Sequence, residues 1–152
     1  LDARIAHAVE LFKSGFNCSQ SVVCAFAHLY GFTEEQALRM SASFGGGIGR
    51  MRQTCGAACG MSLLAGLETG CTDPTDREGK AANYALVQQL AEEFKRVNGA
   101  LICADLLGLS RTADTPYTPE ARTPQYYTKR PCSQIVEETA KIWANYLKKQ
   151  LV

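Results

Sequence analysis

Thr54-Cys55-Gly56-Ala57-Ala58-Cys59-Gly60-Met61-Ser62-Leu63-Leu64-Ala65-Gly66-Leu67 is small and apolar on every side. A stretch with no polar face to turn to water predicts a helix buried at the centre of a bundle, and its small residues let neighbouring helices come close. Before it, Phe44-Gly45-Gly46-Gly47-Ile48-Gly49-Arg50 loses packing side chains and gains backbone freedom at each glycine, so it predicts a tight loop with accessible backbone.

Helical signals lie on both sides. Ile5, Ala8, Val9 and Phe12 repeat at helical spacing ahead of Gly15, predicting a helix over 3–14. Asn17 with Gln20 offers a capping box for a helix from Cys18 to Gly31, and Thr33 with Gln36 offers the next, through about Ala42. Downstream, Thr75 with Glu78 starts a long helix with a Leu86, Val87, Leu90, Phe94, Val97 stripe, closed by Asn98-Gly99. A short helix over Leu101 to Leu107 carries Cys103. Residues 109–131 hold Pro116, Pro119, Pro124 and Pro131 without periodicity; a structureless loop of that length is uncommon unless functional or mobile, so it is expected to be a lid or contact surface. Ile135, Thr139, Ile142, Trp143 and Tyr146 mark the last helix, which begins just after Pro131-Cys132. No strand-like alternation and no repeat occurs. The expectation is an all-α, single-domain bundle over 1–152, of about five to six helices, with a long Pro/Thr-rich loop before the last.

Composition narrows the function. The chain has 152 residues, 46% of them hydrophobic, enough to fold around its own core without covalent staples. Sixteen Lys and Arg against fifteen Asp and Glu give a net charge of +1, which argues against nucleic acid as a partner. No apolar run approaches the roughly 18 to 20 residues that span a bilayer. The first fifteen residues resemble an amphipathic helix and not a signal peptide. Leu1 is not a natural start, so a removed leader stays compatible with the chain; the expected location is the cytoplasm.

Seven cysteines in a core-rich chain of this size, an odd number, point to metal or redox use and away from a disulfide framework. Cys18, Cys55 and Cys132 each fall in the first turn of an expected helix, and Cys103 near the start of a short one. Backbone N–H groups and the helix dipole stabilise a thiolate there, as nucleophile or metal ligand. Arg50 and Arg52 act on Cys55 in the same direction. Gly46, Gly47 and Gly56 would let the backbone approach a cluster or anion. Cys59, four residues from Cys55, is a further candidate; Cys24 is ambiguous between site and packing, and Cys71 lies in a loop and is incidental. A lone buried cysteine is more often packing than site, and His7 and His28 have no second ligand near them in sequence. The glycine loop lacks Gly-Lys-Ser/Thr and a preceding strand, so no nucleotide site is expected.

Asn17-Cys18-Ser19-Gln20, Phe44-Gly45-Gly46-Gly47 with Gly49-Arg50, Cys55-Gly56-Ala57-Ala58-Cys59-Gly60, Cys103-Ala104-Asp105-Leu106-Leu107-Gly108 and Cys132, in that order, resemble the redox-active family named C_GCAxxG_C_C over nearly the whole chain. The resemblance places that family's four cysteines on Cys18, Cys55, Cys103 and Cys132, with Gly56, Ala57 and Gly60 in its central box. It implies a small bacterial redox protein, often associated with transport genes, without a settled substrate. Cys24, Cys59 and Cys71 are additions to its pattern.

Three readings follow. In the first, Cys18, Cys55, Cys103 and Cys132 converge and either hold an iron–sulfur cluster or exchange electrons as dithiols, with Cys55 attacking and Cys59 or Cys18 resolving. In the second, the four hold structural zinc, although the usual tight knuckles are missing. In the third, the chain is a helical interaction module, a transporter accessory, presenting its Pro/Thr loop and exposed Tyr126-Tyr127 to a partner. A redox partner and a homodimer, suggested by generous apolar helix faces, are further expectations.

Overall fold

The computed structural model describes residues 1–112 and 114–151. The helix α1 (Asp2–Lys13) turns Ala8, Leu11 and Phe12 inward. Asn17 then opens α2 (Cys18–Phe26): its side chain accepts the Gln20 N–H at 2.9 Å, and the Gln20 side chain accepts the Asn17 N–H at 3.1 Å. Two helix-start donors are thereby satisfied at once. The helix expected up to Gly31 stops sooner, because the chain tightens into a 3-10 turn at Ala27–Tyr30 that Gly31 closes at φ 83°. Thr33 and Gln36 cap α3 (Glu34–Ser41) reciprocally, as expected, and a second 3-10 turn, Ala42–Phe44, leads into the glycine loop.

Helix α4 (Gly56–Thr69) has Cys55 as its N-cap. It lies tightly on α2: a Cβ on Gly60 would stand 3.1 Å from the Ser19 carbonyl oxygen and 3.2 Å from Val23 Cγ2. Helix α5 (Arg77–Asn98) starts one residue later than expected. Asp73 takes both the N–H and the hydroxyl of Thr75 in a local turn, so Asp76 caps the helix instead, accepting the Gly79 N–H at 2.9 Å. The single turn α6 (Cys103–Leu106) follows. The stretch expected to be a structureless loop contains α7 (Pro124–Lys129), capped by Thr123 with proline in its first turn. Helix α8 (Cys132–Gln150) ends the fold.

The all-α expectation holds: six helices have eight residues or more, and α6 and α7 are short. Among the described residues there is no strand, only one antiparallel bridge between Thr54 and Ile102. Phe12, Phe26, Met61, Leu64, Phe94 and Trp143 are fully buried in one core drawn from α1, α2, α4, α5 and α8. The most enclosed helix is α2, with seven of its nine residues buried and α1, α3, α4 and α8 around it; α4 shares the centre with it. No helix is long and apolar enough to cross a membrane among the described residues.

Candidate functional site

Helices α2, α6 and α8 begin on Cys18, Cys103 and Cys132, and Cys55 caps α4. The fold brings these four starts together around a cavity of about 60 Å³, walled by Phe12, Leu106 and Ile135 and by the backbone of Gly46, Gly47 and Gly56. Backbone bonds around the Thr54–Ile102 bridge fix the middle pair. Cys55 N–H donates to Leu101 O at 2.9 Å, and Cys103 N–H donates to Gln53 O at 2.6 Å. Two glycines are needed there for space. A Cβ on Gly47, already at φ 77°, would come 2.7 Å from Cys103 Cβ, and one on Gly56 would come 2.7 Å from the Phe44 carbonyl oxygen.

The glycine loop is strained. All of Gly46 to Arg50 take positive φ, as does Arg52; Ile48, Arg50 and Arg52 do so at 64°, 63° and 61°. Each such non-glycine residue costs about 1 kcal/mol or more. The loop is closed on itself by N–H bonds from Ile48, Gly49, Arg50, Arg52 and Gln53 back to the carbonyls of residues 43–47. Its outcome is the placement of two guanidiniums. Arg52 Nη1 donates to Cys103 Sγ at 3.6 Å, whereas Arg50 Nη1 reaches Pro116 O at 2.8 Å and Thr118 O.

Arg122, Tyr126 and Arg130 come from the segment over the site and line the same cavity. Arg122 donates to Phe12 O at 2.8 Å and Phe16 O at 2.9 Å, with its guanidinium 4.4 Å from the Phe12 ring centre and 4.9 Å from that of Tyr126. Arg130 also lies over Tyr126, at 4.9 Å, and pairs with Glu120. Tyr126 and Tyr127, expected to be exposed, are half-buried. Tyr127 meets Phe12 edge-on and donates its hydroxyl to Lys13 O at 3.2 Å. The sequence did contain a signal for this face: Thr123-Pro124 is a helix start, which sets Tyr126 on α7 and Arg130 at the residue that ends it. Arg122 and Phe12 gave no local signal, since their contact spans most of the chain.

The electrostatics single out Cys132. A hydrogen bond from the Cys18 thiol, with Arg130, Arg122 and Arg52 nearby, outweighs burial and lowers it to about 7. The same bond, followed by burial, raises Cys18 well above an ordinary thiol. Both shifts run in the direction that favours the charge on Cys132 over Cys18. The helix-start argument led to the opposite expectation for Cys55. Burial pushes its thiol up to about 12, despite bonds from the N–H groups of Ala57 and Ala58. Cys103 is raised by burial, with Arg52 opposing.

The remaining candidates lie elsewhere. Cys59 points at Thr54 O at 3.7 Å and does not line the cavity; Cys24 packs in a second apolar cluster, and Cys71 bonds to Asp76 at 3.4 Å. His7 and His28 share a shallow pocket with Arg4 and Cys24 on another part of the surface. Four thiols are suitable donors for iron–sulfur or zinc. Their arrangement is less so: among the described residues no three His, Cys, Asp or Glu side chains stand close enough to hold a metal ion.

No curated protein and no solved structure matches the chain. A family model described as "Putative redox-active protein (C_GCAxxG_C_C)" matches residues 16–146, a span that holds all four cavity cysteines, the glycine loop and the arginines over the site. The chain belongs to this redox-active C_GCAxxG_C_C family.

Proposed function

We propose that the chain is a dithiol–disulfide redox protein in which Cys132 attacks and Cys18 resolves. The observation that carries this is the meeting of Cys18 and Cys132, at the starts of α2 and α8, in one cavity faced by Arg52, Arg122 and Arg130. The Cys132 thiolate attacks one sulfur of a substrate disulfide, forming a mixed disulfide and releasing the other sulfur as a thiolate, which takes a proton from water. Cys18 attacks Cys132 Sγ, forming the Cys18–Cys132 disulfide and expelling the second substrate sulfur as a thiolate, which takes up the proton that Cys18 releases. The net result is that one substrate disulfide and two protein thiols become two substrate thiols and one protein disulfide.

A second reading, an iron–sulfur or zinc ligand set on Cys18, Cys55, Cys103 and Cys132, is favoured by the meeting of four thiols at one cavity. It requires the four to draw in from their present spacing. Anaerobic purification followed by thiol counting separates the two. Dithiol chemistry predicts colourless protein that loses two thiols on mild oxidation, with Cys18 and Cys132 joined on peptide mapping. Brown protein with stoichiometric iron and sulfide, or colourless protein with stoichiometric zinc, would replace it with the second reading.

A further inference from the structure

Outside the cysteine cavity lies a larger pocket of about 410 Å³, within the size range of small-molecule sites. Asn17, Gly46, Arg52, Arg122, Tyr126 and Arg130 line both spaces and so form the wall between them. Four guanidiniums, those of Arg50, Arg52, Arg122 and Arg130, face this outer pocket, and Glu120 is the single carboxylate lining it among the described residues. The four are half-buried and crowd one another. Arg50 is lowered from its ordinary value by burial first, then by Arg52 and Arg130.

Their hydrogen bonds divide them into two kinds. Arg122 is bound to the carbonyls of Phe12 and Phe16, and Arg130 is paired with Glu120. Arg50 and Arg52 donate through Nη1 alone among the described residues. Each keeps an Nε and Nη2 edge, the planar fork that matches a carboxylate. Both belong to the strained loop, which presents them to the pocket.

Resting on the dithiol assignment above, we infer that the outer pocket holds the carboxylate of a small anionic disulfide, with Arg50 and Arg52 as its binding residues, so that the substrate's sulfur is directed past Tyr126 to Cys132. Attraction by the guanidiniums raises the local concentration of anions at the cavity mouth and lowers that of cations.

The test uses the full, prereduced chain and three disulfides: 3,3′-dithiodipropionate (anionic), 2-hydroxyethyl disulfide (neutral) and cystamine (cationic). At low ionic strength the anionic probe is expected to react about tenfold faster than the neutral one and the cationic probe slowest, with the spread shrinking as salt is added. Arg50→Gln should lower the anionic-to-neutral ratio roughly threefold, and Glu120→Gln should raise it. Suberate, a redox-inert dicarboxylate of similar length, reports on the pocket independently: it should bind the Cys18→Ser, Cys132→Ser double variant and bind more weakly when Arg50→Gln is added. Equal rates for all three disulfides, with no suberate binding, would overturn the anion site and leave the dithiol chemistry standing. Suberate binding without reaction of any disulfide would keep the site and end the dithiol assignment.

Discussion

Cys132 ionises near neutrality because a thiol donor and three guanidiniums face it, and Cys55 does not because it is enclosed. Iodoacetamide labelling of Cys132 in the reduced protein should therefore reach half its plateau near its lowered value of about 7; Cys18→Ala, which removes the largest cause, should move that midpoint upward. A Cys132 midpoint at or above the ordinary thiol value of 9.0 in the wild-type protein would contradict the geometry. For Cys55 the sign is reversed. An acid raised on folding keeps its proton longer in the native state, so its contribution to stability is whole below the ordinary thiol value of 9.0 and is lost towards about 12. The stability difference between wild type and Cys55→Ala should narrow as pH rises through that window, measured by urea unfolding of the reduced proteins. Side-chain chemistry at helix starts was visible in the sequence, but the balance between dipole and burial was not. Cys18, Cys55 and Cys132 all stand at helix starts, and arginines precede both Cys55 and Cys132 in the chain; packing decides that one thiol is lowered and the other two raised.

At the scale of elements, the site depends on how α2 and the glycine loop are held. Asn17 caps α2 and also donates through Nδ2 to Ala42 O at 3.0 Å, tying the start of the helix to the turn before the loop. Asn17→Ala should cost about 1 kcal/mol in urea unfolding and loosen Cys18, seen as faster labelling of that thiol. Gly47→Ala meets Cys103, Gln53 and Arg52 at once in a left-handed position. It should destabilise the fold by about 1–3 kcal/mol and raise the reactivity of Cys103; a Gly47→Ala variant with wild-type stability and labelling would show the loop to be looser than described. The capping boxes at Asn17 and Thr33 were legible because both partners lie within four residues. The box at Thr75 was misread because Asp73 competes for the same donors, and α7 was missed because four prolines in the stretch obscured the helix start at Thr123-Pro124.

Across the whole molecule, the segment before α8 acts as a cover, fastened to the end of α1 by Arg122 and Tyr127. Arg122→Ala removes two charged hydrogen bonds, each worth about 1.5–3 kcal/mol, and one of the cations beside Cys132. It should speed hydrogen exchange over residues 115–130 and move the Cys132 labelling midpoint to higher pH. Exchange over that segment equal to wild type would show that the fastening lies elsewhere. That Cys18, Cys55, Cys103 and Cys132 stand at helix starts was legible in the sequence, and the family resemblance joined them as one set, which lines one cavity. The cations and the aromatic wall were not legible, because Arg122 reaches Phe12 across almost the full chain and such contacts leave no periodic trace. The most direct test of the central claim is to equilibrate the protein, purified without oxygen, in dithiothreitol buffers of graded potential and map its disulfides by mass spectrometry. A single two-electron transition that joins Cys18 to Cys132 is the predicted result; both thiols remaining free across the whole range would contradict it.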